Sequence, residues 1–165
     1  MDSVLGSFTG KVISISDFDS GGESPFGCYK LIELVDAGGQ PTNFVVSPST
    51  YILDREKIYV GDTVTGYYNT NVPVPLIYPP RFQAVILIKH TAYQNTYVGY
   101  FNSELISSDN VLQINPTSRT VIELANGMTY NGSLENKYLI VIYGPSTRSI
   151  PALTTPTRIV VLCSV

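Results

Sequence analysis

The chain contains a single histidine, His90, which is the first candidate for acid–base chemistry. The ordinary pKa of histidine lies near neutrality, so an imidazole can serve as a general base when a nucleophile lies within hydrogen-bond reach. His90 ends an apolar run, and the sequence offers no second base or nucleophile at a recognisable spacing. A surface or boundary position suits this residue better than catalysis. We therefore expect no catalytic residue and no enzymatic activity.

Acidic and glycine residues near the N-terminus form the only pattern that is similar to a metal site. They are Asp17, Asp19, Glu23 and the pair Gly21–Gly22. Carboxylate oxygens suit calcium, but the spacing of an EF-hand loop and its terminal glutamate are absent. We expect a solvated hairpin loop at this position, with no metal and no cofactor.

The two cysteines, Cys28 and Cys163, are too few for a disulfide framework and lack the spacing of metal ligands. Two alternatives remain open for them. Both are plain thiols that are buried or half-buried, or one or both form a crosslink, including a crosslink between chains.

The most distinctive segment spans residues 67–82 and combines aromatic residues with prolines. Proline cannot donate to a strand ladder, so this segment is predicted to form a loop. In one interpretation its rigid backbone presents aromatic anchors to a partner. In the other, the loop closes one barrel and packs on its neighbour. The candidate interface residues are Tyr67, Tyr68, Tyr78, Pro79, Pro80 and Phe82.

Charge argues against a nucleic-acid partner. The chain has 10 basic and 13 acidic residues without runs, a net charge of -3, and only 14% charged residues. Stacking of single-stranded bases on aromatic side chains also needs a positively charged groove. A strand face with Tyr29, Lys30, Phe44 and Arg81 remains a local candidate for such stacking. Binding of a carbohydrate or a peptide would need less charge and stays open.

The elements that would hold these residues are strands, since β-branched and aromatic runs alternate with glycine, proline, asparagine and aspartate clusters. Helical periodicity is almost absent, apart from one predicted helical turn at residues 54–58. Five strands are predicted in the first half, at residues 7–16, 28–36, 42–46, 63–68 and 82–89. Five more are predicted in the second half, at residues 97–104, 111–114, 120–125, 138–143 and 158–163.

The second half repeats the first in shorter form, which indicates an internal duplication. Pro75 and Pro80 have the spacing of Pro151 and Pro156, and an apolar strand follows each pair. Three looser correspondences join Gly10 with Gly99, Thr50-Tyr51 with Thr129-Tyr130, and the charged linker at residues 54–57 with residues 134–137. The predicted fold is all-β, with two tandem small OB-like β-barrels packed on each other, at residues 1–90 and 91–165.

Three strings in the first half resemble a group of uncharacterised proteins from anaerobic spore-forming Firmicutes. They read Asn-Phe-x-Val-x-Pro-x-Thr-Tyr from Asn43, Val-Gly-Asp-x-Val-x-Gly-Tyr-Tyr from Val60, and Tyr-Pro-Pro-x-Phe from Tyr78. The group carries no assigned activity, so no functional residue is implied. The resemblance implies a bacterial source and an OB-like barrel.

Few charges, 12 tyrosines and many strands favour a structural subunit whose surface is covered by other copies of the same chain. We expect head-to-tail assembly into a filament, an appendage or a surface layer, through unlike barrel faces and through strand addition by an N-terminal arm that includes Val4 and Leu5. The alternative is an OB-type binding module for a peptide, a glycan or single-stranded nucleic acid. The first residues lack the features of a secretion signal, and no apolar run is long enough for a membrane helix. We therefore expect synthesis in the cytoplasm and a final location at the spore or cell surface.

Overall fold

The computed structural model describes residues 4–19, 21 and 26–165. In this part of the chain there are 13 strands and a single turn of 3-10 helix, Leu53–Arg55, so the all-β prediction is confirmed. Each of the ten predicted strands overlaps an observed strand. The strands are β1 Leu5–Asp17, β2 Lys30–Val35, β3 Pro41–Val46, β4 Tyr51–Ile52, β5 Thr63–Asn69, β6 Arg81–Gln83, β7 Ile86–Lys89, β8 Asn95–Phe101, β9 Leu112–Ile114, β10 Val121–Leu124, β11 Lys137–Tyr143, β12 Ala152–Thr154 and β13 Arg158–Leu162.

The chain divides into two compact units, which we call the N-terminal unit, Val4–His90, and the C-terminal unit, Thr91–Val165. In the N-terminal unit the seven strands form one sheet in the order β4-β7-β5-β1-β2-β3-β6. The first half of β1 is antiparallel to β5, and its second half is antiparallel to β2. β6 and β7 follow each other in the chain but pair with different strands: β6 is parallel to β3, and β7 is antiparallel to β5. Residues 81–89 therefore border both β3 and β5.

The core of the N-terminal unit forms on one face of these strands. Buried side chains alternate along β2 and β1, as expected for strands that bury one face. Phe44 is fully buried at the centre, and the rings of Tyr68 and Phe82 pack against the cluster from its rim. The buried members are Val12, Ile32, Leu34, Phe44, Val64, Ala84 and Leu87.

The C-terminal unit has a four-stranded sheet in the order β10-β13-β11-β8 and a two-stranded sheet of β12 and β9. Leu139–Ile142 in β11 and Ile159–Leu162 in β13 are buried at every position, as in strands that are covered on both faces. The core cluster here includes Phe101, which is fully buried.

Strand pairings in the two units follow the same pattern. β8 is antiparallel to β11 as β1 is to β5, and β13 is antiparallel to β11 as β7 is to β5. Parallel pairs also recur, because β9 with β12 matches β3 with β6, and β10 with β13 matches β4 with β7. Gly10 and Gly99 stand at the same register, as predicted, since Gly10 pairs with Val64, the first buried residue of β5, and Gly99 pairs with Leu139, the first buried residue of β11.

A threonine hydroxyl fixes the corresponding loop in each unit. Thr50 Oγ1 donates to the carbonyl oxygen of Ala84 at 2.8 Å, and Thr120 Oγ1 donates to that of Pro156, also at 2.8 Å. Thr120 is therefore the counterpart of Thr50, and the predicted match of Thr50 with Thr129 is wrong.

The same bonds correct the predicted match of the proline pairs. Pro156 corresponds to Ala84 rather than to Pro80, so the pair Pro75 and Pro80 is not equivalent to the pair Pro151 and Pro156. The equal spacing of the two proline pairs is a coincidence. The loop before β6 is longer than the loop before β12, so the two pairs do not lie at corresponding positions.

The finer prediction of two closed OB-like barrels is not shown by these sheets. The N-terminal sheet ends in two outer strands, β4 and β6, and the strands of the C-terminal unit are divided between two sheets. The last strand predicted in the N-terminal unit is interrupted at residues 84–85, between β6 and β7. The helical turn predicted at residues 54–58 is the 3-10 turn Leu53–Arg55, one residue earlier and shorter.

Candidate interaction surface

Residues 70–80, which we call the proline loop, join β5 to β6 in the N-terminal unit. Its first residue is fixed by Val4, which directly precedes β1: the amide of Thr70 donates to the carbonyl oxygen of Val4 at 2.7 Å, and the hydroxyl of Thr70 donates to the same oxygen at 2.9 Å. Its last residue is fixed by β3, because the amide of Asn43 donates to the carbonyl oxygen of Pro80 at 2.8 Å. The loop therefore leaves the sheet and returns to it at defined positions.

Between these ends the proline loop is apolar and open to solvent. Tyr78 is 75% exposed, Leu76 is fully exposed, and close to half of Ile77 is exposed. Val72 and Val74 are also exposed, and the four prolines leave few amides that could bond elsewhere. The loop carries no charged residue. Contiguous exposure of this kind is a feature of interaction sites rather than of ordinary surface.

A cavity of about 100 Å³, which we call the loop pocket, lies between the proline loop and the sheet. Tyr68 and Phe82 line it from the strands, Val72 and Val74 line it from the loop, and Val85 also contributes to its wall. The lining is mainly apolar. Such a pocket accepts an aliphatic or aromatic group rather than an ion.

The aromatic wall of the loop pocket is held by the core. The rings of Tyr68 and Phe82 stack with their centroids 3.8 Å apart and their planes 11° apart. Phe44, which is fully buried, lies beneath both, at 6.3 Å from Tyr68 and 6.0 Å from Phe82. Contacts between aromatic rings are favourable, and the contacts with the buried Phe44 ring hold the two wall residues against the core. The pocket is thus preformed.

Of the predicted interface residues, only Tyr78 is strongly exposed. Pro79 and Pro80 are half-buried, and Tyr68 and Phe82 serve as pocket wall. Tyr67 is half-buried as well, and burial raises the pKa of its phenol to about 12. The aromatic anchors expected from the sequence are therefore mostly structural. Sequence reasoning missed the exposed aliphatic residues Val72, Val74, Leu76 and Ile77, whose signal was an apolar stretch without alternation between prolines.

Val4 and Leu5 bond within their own unit. Val4 receives both bonds from Thr70, and Leu5 begins β1, where it pairs with Asn69. In this structure these two residues support the base of the proline loop instead of extending from the unit as a free arm.

The C-terminal unit contains a shorter counterpart of the proline loop at residues 144–151. It lacks aromatic residues, and its main exposed apolar side chain is Ile150, at 86% exposure. It also carries a cation, Arg148. The apolar surface is therefore a property of the first unit's loop and not of the repeated pattern.

His90 is exposed and has a partner that the sequence did not reveal. Its Nε2 lies 2.6 Å from the hydroxyl of Thr65, which lies 2.7 Å from the hydroxyl of Thr9. Thr65 is buried. Among the hydrogen bonds and ion pairs of residues 4–19, 21 and 26–165, none joins His90 to a carboxylate that would orient it as a base.

The predicted metal pattern falls partly on Gly22 and Glu23, which lie outside the described residues. Of the others, Asp17 forms an ion pair with Lys30, and Asp19 accepts a hydrogen bond from the amide of Gly21 at 2.9 Å. No group of three potential metal ligands occurs within the described ranges.

Both cysteines are exposed free thiols in this structure, so neither is the buried or half-buried thiol expected from the sequence. The alternative of a crosslink between chains remains a prediction.

The strand face suggested for base stacking does not form. Phe44 lies in the core, Lys30 pairs with Asp17, and the guanidinium of Arg81 lies 5.1 Å from the ring centroid of Phe18. A fully buried Phe44 cannot stack on a base, so this prediction is wrong.

No protein-family model matches the chain, and no curated protein is significantly similar to it. Across the described residues, no helix has the length and apolar character needed to cross a membrane.

Proposed function

We propose that this protein is a non-enzymatic structural subunit that assembles with copies of itself, and that the proline loop is a principal contact surface. The observation that carries the proposal is the run of exposed apolar side chains from Val72 to Tyr78 on a loop without a charge. Leaving this run in water is unfavourable, and a partner surface would remove it from water.

Rigidity supports the proposal. The loop is hydrogen-bonded at its ends to Val4, just before β1, and to Asn43 in β3, and its four prolines restrict the backbone between them. Less conformational entropy is lost when a constrained surface binds than when a mobile one does. Low overall charge also reduces repulsion between copies, since the net charge is only -3.

Strand addition by Val4 and Leu5 does not form part of this proposal, because their backbone groups bond within their own unit. The matched strand pairings of the two units support an origin by duplication of one OB-like arrangement whose closure has been modified. Unlike loops on two such units would give the unlike faces of a head-to-tail filament, appendage or surface layer. A spore or cell-surface location in a spore-forming bacterium is the setting that we propose for it.

Sedimentation velocity over a wide concentration range, combined with negative-stain microscopy, tests the proposal. We expect species larger than the 18.0 kDa chain whose fraction grows with concentration. A monomer that persists at millimolar concentration, with no particles larger than one chain in the micrographs, would contradict it.

A second candidate function, glycan binding, is favoured by one observation. A shallow groove of about 730 Å³ runs between β1 and the turn after β2, and it places the hydroxyl of Thr63 and the cation of Lys11 beside the apolar side chains of Ile13 and Val35. Hydroxyls next to apolar surface suit the polar and apolar faces of a sugar, and the opposite charges of Lys11 and Asp36 do not favour nucleic acid. Calorimetric titration with neutral oligosaccharides tests it, and the absence of binding at millimolar ligand would exclude it.

A further inference from the structure

The proline loop carries both a projecting side chain and a cavity, and the two are chemically matched. Leu76 is fully exposed, and it directly follows the loop segment that lines the loop pocket. A cavity of about 150 Å³ can hold a benzene ring, so the loop pocket, at about 100 Å³, suits the four-carbon side chain of leucine. Leu76 does not fill the pocket of its own chain.

We propose that two copies of this chain pair through their proline loops about a two-fold axis, with Leu76 of each copy inserted into the loop pocket of the other. This inference rests on the proposed function and adds to it a two-fold contact; the resulting pairs of chains would then be linked into a larger assembly through their unlike faces. When one patch holds both the knob and the hole, a two-fold axis satisfies both at once, because each residue then meets its complement on the partner.

The chemistry of the patch selects a second copy over other partners. Its loop residues have no charge, so a strongly acidic or basic partner gains nothing from them. The pocket rim has Arg81 and Gln83, and Arg81 is already placed over Phe18. An uncharged apolar surface of matching shape is what remains, and the proline loop of a second copy provides one.

The exposed area is sufficient for such a pairing. The proline loop exposes an apolar area on the order of 500 Å², equal to that of about three large side chains. This area is contributed by Val72, Val74, Leu76, Ile77 and Tyr78. Two copies together would bury about 1,000 Å², which is the lower bound for a specific interface. Additional area would come from the pocket walls and from residues around the rim.

The aromatic wall gives the pairing its specificity. Tyr68 and Phe82 are stacked and supported by Phe44, so the pocket need not rearrange when Leu76 enters. Insertion into a preformed apolar pocket at the centre of an interface is the usual arrangement of a binding hot spot. The counterpart loop of the C-terminal unit has no aromatic wall, so it cannot replace the proline loop in this contact.

Two variants test the knob and the hole separately in the full chain. Leu76→Asn removes the apolar knob from a fully exposed position, so folding should be unaffected. Gln83→Trp places a large side chain at the exposed rim of the pocket and blocks entry while adding apolar surface. Ile150→Asn is the matched control, since it removes an exposed branched side chain from the counterpart loop.

Sedimentation equilibrium gives the dimer dissociation constant of each variant, and circular dichroism checks that each is folded. Burial of one leucine side chain changes affinity by about tenfold to a hundredfold, and two are buried at a two-fold axis. We therefore expect Leu76→Asn to raise Kd by about a hundredfold or more. Gln83→Trp should raise Kd by at least about tenfold, and Ile150→Asn should leave it unchanged.

The outcomes separate this inference from the proposed function. If the wild-type chain assembles but Leu76→Asn assembles equally well, the paired loops are wrong and the structural role survives. If Gln83→Trp strengthens assembly, non-specific hydrophobic association rather than insertion into the loop pocket drives assembly, and the inference is overturned. A wild-type chain that stays monomeric contradicts both.

Discussion

Replacement of Gly66 by alanine should destabilise the N-terminal unit, because a side chain at this position would collide with the core. A Cβ atom at Gly66 would lie 2.6 to 2.8 Å from three carbons of the Phe44 ring, closer than carbon atoms approach without a shift. Phe44 is fully buried and touches Tyr68 and Phe82, so its ring cannot move without displacing the pocket wall. Overpacking of a core usually costs about 1–3 kcal/mol.

The free energy of unfolding, from urea denaturation followed by far-ultraviolet circular dichroism, measures this effect. Gly144→Ala is the matched control, because apart from its chain neighbours no residue has an atom within 4 Å of a Cβ built there, and it should change stability by less than about 0.5 kcal/mol. Adding Phe44→Leu to Gly66→Ala should recover part of the loss, since the smaller side chain frees space. A Gly66→Ala chain as stable as wild type would refute the packing argument.

Three further predictions concern stability and reactivity. Thr120→Val should destabilise the C-terminal unit by about 1–3 kcal/mol in the same urea assay, because the buried carbonyl of Pro156 loses its donor; Thr120→Ser should be close to wild type. Burial raises the pKa of the Tyr67 phenol to about 12 in the folded chain, against about 10 in the unfolded chain. The contribution of Tyr67 to the free energy of unfolding is therefore complete below pH 10 and is lost as the pH rises from about 10 to 12. Tyr67→Phe should remove that part of the fall in a pH series of unfolding curves, and an unchanged fall would exclude Tyr67 as its source. Both cysteines should react with a thiol reagent in the native chain, and air oxidation should give crosslinked chains that thiol reverses on electrophoresis; a protected thiol would contradict the exposure seen here.

The strands were predictable because their signal is local. Alternation along β1 and β2 and the continuous apolar runs of β11 and β13 depend only on which faces are buried, and the sequence shows this directly. β4 and β12 escaped prediction because each has only two or three residues and follows closely on a proline-containing turn; β9 is as short but lies in a separate apolar segment that starts at Val111. Their existence depends on parallel neighbours that are distant in the chain.

Equivalence between the two units was harder to predict than the strands. The repeated spacing of Pro75 and Pro80 is a coincidence of loop length, whereas the true match rests on the hydrogen bonds of Thr50 and Thr120. A single hydroxyl at a loop base has no sequence signal strong enough to outweigh a proline pattern.

The candidate surface was located in the sequence, but its active residues were not identified. Prolines mark residues 67–82 as a loop, yet they do not show which side chains turn outward. Tyr68 and Phe82 turn toward the core, where both rings lie about 6 Å from the ring of Phe44 in β3, whereas Leu76 is fully exposed. Such a choice depends on contacts across the sheet, which no local pattern encodes.

Hydrogen–deuterium exchange at low and high protein concentration tests the central claim most directly, with labelling times short enough to follow loop amides. The account predicts that the peptide covering residues 70–80 exchanges more slowly as concentration rises, while residues 144–151 exchange at an unchanged rate. Exchange of residues 70–80 that does not depend on concentration, in samples shown by sedimentation to be assembled, would contradict it.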